Sequence, residues 1–75
     1  MSMGKIEQKV IELAHMFVEK YGRDALKTKH NDWVKYIIPH LNRYEKEIFI
    51  HNQFKLLVLF YKTVVTDLRN SRKKL

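Results

Sequence analysis

Seventy-five residues make at most one domain, near the lower limit of what folds without a staple. The absence of cysteine excludes disulfides and thiolate-bound metal, while 45% apolar residues supply enough core material to exclude wholesale disorder. Fifteen Lys and Arg against eight Asp and Glu leave a net charge of +7, which favours anionic partners such as nucleic acid or an acidic protein surface.

The first element is the clearest. Ile6, Val10, Leu13, Ala14, Phe17 and Tyr21 recur at the spacing that gathers one apolar stripe on a helix, and Lys5, Glu7, Gln8, Glu12, His15 and Glu19 fall on the other face. Gly22 follows, where a left-handed C-terminal cap favours a residue without Cβ. The spacing predicts a helix over residues 5–21. Met1 to Lys5 lack the apolar region of a secretory signal, so a cytoplasmic protein is expected.

Residues 23–41 are less regular. Asp24 is a candidate cap for a short turn through Ala25 and Leu26, and Asn31 or Asp32 for a second helix. Val34, Ile37, Ile38 and Leu41 lie on one side of that helix with Trp33 beside them, and Pro39 ends or kinks it near Ile38.

Asn42 with Glu45 three residues on resembles a capping box. From there to about Asn70 no Gly or Pro interrupts the chain, and Phe54, Leu57, Val58, Tyr61, Val65 and Leu68 keep helical spacing. The expectation is one long helix, with a break near His51 and Asn52 as a variant. The β-branched and aromatic content of Ile48 to Ile50 and of Leu56 to Val65 allows a C-terminal hairpin as the alternative. The fold class expected is all-α, a bundle of three or four helices in a single domain over 1–75, closing in a basic tail over 69–75.

An unbroken C-terminal helix would outreach the first one, and its segment from Phe54 to Tyr61 is apolar on almost every side. A homodimer, or docking on another protein through Phe54, Leu57, Val58, Tyr61, Val65 and Leu68, is therefore expected. The longest uninterrupted apolar run, Leu56 to Tyr61, is far below the roughly 20 residues of a membrane span.

The excess positive charge lies in residues 20–36 and 62–75. Lys62, Arg69, Arg72, Lys73 and Lys74 are candidates for contacts along a phosphate backbone. Arg23, Lys27, Lys29 and Lys35 form a second basic cluster, interleaved with Trp33, Tyr36 and Tyr21 on which bases can stack. A helix-turn-helix pivoting on Gly22 is not supported, because Arg23, Thr28 and Asn31 stand where its second helix needs apolar residues.

No chemistry-bearing constellation emerges. His15, His30, His40 and His51 have no partner at metal-ligand spacing, and the two serines, Ser2 and Ser71, lie near the termini. No Gly-rich phosphate loop is present. The expectation is a non-catalytic protein without cofactor, metal or small-molecule substrate: a small basic nucleic-acid-binding or regulatory accessory protein. The alternative is a protein–protein interaction module, an inhibitor or adaptor of a larger protein.

Overall fold

The computed structural model describes the backbone of residues 3–73 and the side chains of residues 4–70. Four α-helices follow one another: α1 (Met3–Tyr21), α2 (His30–Ile37), α3 (Arg43–His51) and α4 (Gln53–Lys73). Short 3₁₀ segments, Gly22–Lys27 and Ile38–His40, join the first three. The all-α bundle is the observed class. Among the described residues there is no strand, and both segments of the hairpin alternative are helical.

The boundaries have local causes. Gly22 carries φ +56°, the left-handed cap that stops α1. Pro39 sits in the first turn of the second 3₁₀ segment, where its missing N–H leaves no bond unmade. At α3 the capping box is complete: Glu45 N–H donates to Asn42 Oδ1 (2.8 Å), and Asn42 N–H donates to Glu45 Oε1 (2.9 Å).

Two expected caps need correction. Lys29 occupies the cap position of α2, and Asp32 acts from inside the first turn, accepting from Lys29 N–H at 3.0 Å. Its carboxylate there also meets the positive end of the helix dipole. Asp24 lies within the first 3₁₀ segment and caps nothing; its Oδ1 is 3.7 Å from Lys27 Nζ.

The break at Asn52 changes the expected proportions. Asn52 N–H closes α3 on the carbonyls of Ile48 and Phe49, its side-chain amide donates to Ile48 O (3.0 Å), and its own carbonyl accepts the first bond of α4 from Leu56 N–H (3.0 Å). One residue thus satisfies both helix ends, and the single long helix becomes two. With 21 residues α4 is about 31 Å long, against about 28 Å for the 19 residues of α1. The length mismatch expected from an unbroken helix is absent.

α1 and α4 lie side by side and run in the same sense, since Glu7 meets Lys55 (4.0 Å) and His15 meets Asp67 (2.8 Å). The expected stripe of α1 is buried from Ile6 to Phe17, joined by Val18, whereas Tyr21 is 40% exposed. From α4 the buried residues are Leu56, Leu57, Phe60 and Val64. Ala25, Ile37, Leu41 and Phe49 complete the core from the other elements. Phe17 is its aromatic centre, with ring centroids 5.3 Å from Phe60, 5.1 Å from Tyr36 and 4.7 Å from Tyr21. Among the described residues no buried side-chain polar atom lacks a partner.

Candidate functional site

The outer face of α4 carries what its inner face does not use. Successive residues turn by 100°, so Leu56 and Phe60 point into the core while Phe54, Val58 and Tyr61 point away. Phe54 is 84% exposed, Tyr61 46% and Val58 37%. Facing them across a groove is α2, which supplies Trp33 and His30. The groove has a volume of about 750 Å³ and is lined by Phe54, Leu57, Val58 and Tyr61 on one wall, with Gln53 and Lys62 at its ends.

Trp33 is half-buried and held from behind. Its indole Nε1–H donates to Thr28 Oγ1 (2.7 Å), and that hydroxyl donates on to Ala25 O (2.6 Å). Its ring centroid lies 6.0 Å from Phe60 and 5.4 Å from Tyr61. With the indole polar atom bonded inward, the side chain offers the groove only apolar surface. Tyr61 is braced by the same ring, whereas Phe54 stands without such support.

The residues expected to form a partner face thus divide. Phe54, Leu57, Val58 and Tyr61 share the groove, with Leu57 at its floor and already part of the core. Val65 and Leu68 belong to a separate hollow of about 330 Å³ near the end of α4, lined also by Arg23, Leu26 and Arg69. Of the segment Leu56 to Tyr61, the chain encloses Leu56, Leu57 and Phe60 itself, leaves Leu59 half-buried, and exposes Val58 and Tyr61.

The basic residues are likewise spread over several surfaces. Arg23 and Arg69 line one hollow although 46 positions separate them in sequence. Lys62 borders the groove on one side and, on the other, a shallow depression lined by His15, Thr63, Thr66, Asp67 and Asn70. Lys27 is engaged with Asp24. Lys29 is exposed at the start of α2. Lys35 lies elsewhere, in a hollow of about 370 Å³ with Phe17, Tyr21, Thr28, Asp32 and Tyr36. There burial, reinforced by Tyr21 and then Glu19, raises the Tyr36 phenol above its ordinary value of 10.0 and keeps it neutral. The side chains of Arg72 and Lys73, and Lys74 altogether, lie outside the described residues; the backbone of 69–73 continues α4.

Among the described residues no group of three or more His, Asp or Glu side chains is arranged to hold a metal ion, and no helix is long and apolar enough to cross a membrane. His15 Nδ1 donates to Asp67 Oδ2 (2.8 Å) and so ties α1 to α4. His40 packs its ring 5.3 Å from Tyr36. His30 alone of the four lines the groove.

Gln53 was not anticipated at this site, and the sequence carries no signal for it beyond its place just after the break. Ile50, 60% exposed one turn before Phe54, and Leu26, 53% exposed, were also not singled out. Compared with known protein families, with curated proteins and with solved structures, the chain matches none.

Proposed function

We propose that this chain is a non-catalytic protein-interaction module that receives an apolar helix of another protein in the groove between α2 and α4. The observation that carries this reading is Phe54, almost wholly exposed at the lip of an apolar groove whose opposite wall is the anchored Trp33. Returning one such side chain to an apolar environment is worth about 1.5–3 kcal/mol. Aromatic anchors set in a concave apolar surface are what a helix-in-groove complex uses, with contacts at i, i+3, i+4 and i+7. Along α4 the wall from Phe54 to Tyr61 runs nearly two helical turns, about 10.5 Å, long enough to meet two successive anchors of a docked helix.

Selection of helical peptides from a random library on the immobilised chain tests the reading. The enriched sequences should carry apolar anchors at helical spacing and should lose binding when Phe54→Ala is introduced. Enrichment that is indifferent to Phe54, or no enrichment at all, removes it.

A second reading, nucleic-acid binding, is supported by the meeting of Arg23 and Arg69 in one hollow, with Lys62 two turns back on α4. Contacts of that kind release counterions, so affinity should fall steeply with salt. Fluorescence anisotropy with single- and double-stranded oligonucleotides over a salt series checks it. The double variant Arg23→Glu with Arg69→Glu should weaken binding and flatten the salt slope; binding that ignores both would dispose of this second reading.

A further inference from the structure

We infer that the occupant of the α2–α4 groove is an amphipathic helix with acidic flanks from a different protein, an inference that rests on the groove being a docking site. Lys55, Lys62 and Arg69 recur every seven residues along α4 and are all exposed. Seven residues are two turns less about 20°, so the three cations form one line, about 10.5 Å from each to the next. The line runs beside the exposed apolar strip of Phe54, Val58 and Tyr61. At the far wall stands His30, preceded by exposed Lys29.

The row is only partly compensated: Lys55 meets Glu7 of α1 at 4.0 Å, and among the described residues Lys62 and Arg69 form no ion pair. Asp67 is the one acidic residue in the sequence of α4, and it points to α1, where it is bonded to His15. Among the described residues no acidic side chain lines the groove. An apolar strip beside a row of cations fits a helix whose own apolar stripe is bordered by Glu or Asp.

Charge also separates the candidates. A second copy would bring the same cationic row to the same strip, each chain carrying +7, and the single Glu7 beside Lys55 does not offset the repulsion. Single-stranded nucleic acid would need free ring faces for its bases. Trp33 lies against Phe60 and Tyr61 instead, which leaves Phe54 as the one Phe, Tyr or Trp ring of the groove with no aromatic neighbour among the described residues, too little for a run of stacked bases.

The test uses three synthetic helical peptides that share one apolar stripe and carry Glu, Gln or Lys along its borders. Each is titrated against the full chain at low and high salt. The Glu peptide should bind about tenfold more tightly than the Gln peptide at low salt and lose that advantage at high salt, with the Lys peptide weakest. Lys62→Glu should abolish the preference, whereas Lys46→Glu, which changes net charge equally but lies on α3 outside the groove, should keep it. Equal binding of all three peptides, each lost in Phe54→Ala, overturns the charge inference and leaves the docking groove standing. No binding by any peptide brings down both. A dimer in sedimentation equilibrium that dissociates in Phe54→Ala overturns the inference in favour of a second copy. An oligonucleotide that displaces the Glu peptide and itself depends on Phe54 overturns it in favour of nucleic acid.

Discussion

Glu45 joins two parts of the molecule through one carboxylate. It accepts from Asn42 N–H at the start of α3, and both its oxygens lie within reach of Lys9 Nζ on α1, at 3.0 and 3.2 Å. The backbone hydrogen bond, helped by Lys9, holds its pKa below the ordinary value of 4.5. A carboxyl whose folded value is the lower one binds protons more weakly folded than unfolded. Its contribution to stability is therefore complete above pH 4.5 and is lost as pH falls through the folded value. Glu45→Gln keeps the box geometry but not the charge. It should cost about 0.3–1 kcal/mol at neutral pH, the worth of a partly exposed ion pair and a charge at a helix N-terminus, and in urea titrations the gap to the unsubstituted chain should narrow as pH falls below 4.5. A gap that stays constant with pH would show that the hydrogen bonds, not the charge, carry the effect.

Other single residues acted as their chemistry suggests. Gly22 takes positive φ because a cap there needs it, and the Asn42–Glu45 pair closes its box. Both were legible because each depends only on a few neighbouring residues. Asp32 shows the limit of that reasoning. The same carboxylate stabilises a helix from before its first turn or from within it, and which one holds depends on where Lys29 and Thr28 leave the 3₁₀ segment.

At the scale of elements, α4 is the informative case. Its apolar residues were legible as helical, yet the pattern does not say which of two apolar faces turns inward. The stripe from Phe54 through Tyr61 to Leu68 has good helical spacing, but of it only Leu57 joins Leu56, Phe60 and Val64 in the buried core. The choice follows from Phe17 and Trp33, which meet Phe60 from α1 and α2. That is tertiary information, and no window of sequence holds it. Asn52 was legible only as a variant: what makes the break is its backbone, which leaves the helical region at φ −121° and ψ 27°, whereas Thr63 makes the same side-chain bond, to Leu59 O, inside unbroken α4.

The two faces of α4 predict opposite outcomes for one substitution type. Phe60→Ala removes a fully buried ring and should cost about 3–5 kcal/mol, much of the stability of so small a domain. Phe54→Ala removes a ring that is 84% exposed, so the stability change should lie within about 0.5 kcal/mol, and alanine's better helix propensity should oppose any loss. Thermal unfolding followed by circular dichroism separates them. If Phe54→Ala destabilised as Phe60→Ala does, the outer face would be structural and the groove reading would lose its main support.

For the molecule as a whole, charge was the most legible property and its distribution the least. Composition announces +7, and seven-residue spacing alone lines up Lys55, Lys62 and Arg69 on a helix, but only the folded chain brings Arg23 to Arg69 and separates Lys35 from both. Those groupings depend on how α1, α2 and α4 pack, which residue counts do not contain. The same excess has a cost in stability. Among the described residues the ion pairs are Lys9–Glu45, His15–Asp67, Lys27–Asp24 and Lys55–Glu7, all with at least one partner substantially exposed. Pairs of that kind are worth about 0–1 kcal/mol each and weaken with salt. Repulsion among the unmatched cations also weakens with salt, and it acts across the whole surface within a Debye length of about 10 Å at 0.1 M. Because cations outnumber acids nearly two to one, relief of repulsion should win. The midpoint temperature should therefore rise between low and moderate sodium chloride, by about 4–8 °C for each kcal/mol relieved. Glu substitution at Lys62, which breaks up the cationic row, should reduce the salt-induced rise. A midpoint that falls with salt would mean the few ion pairs outweigh the net charge, and the cationic row beside the groove would then be too well compensated to select an acidic partner.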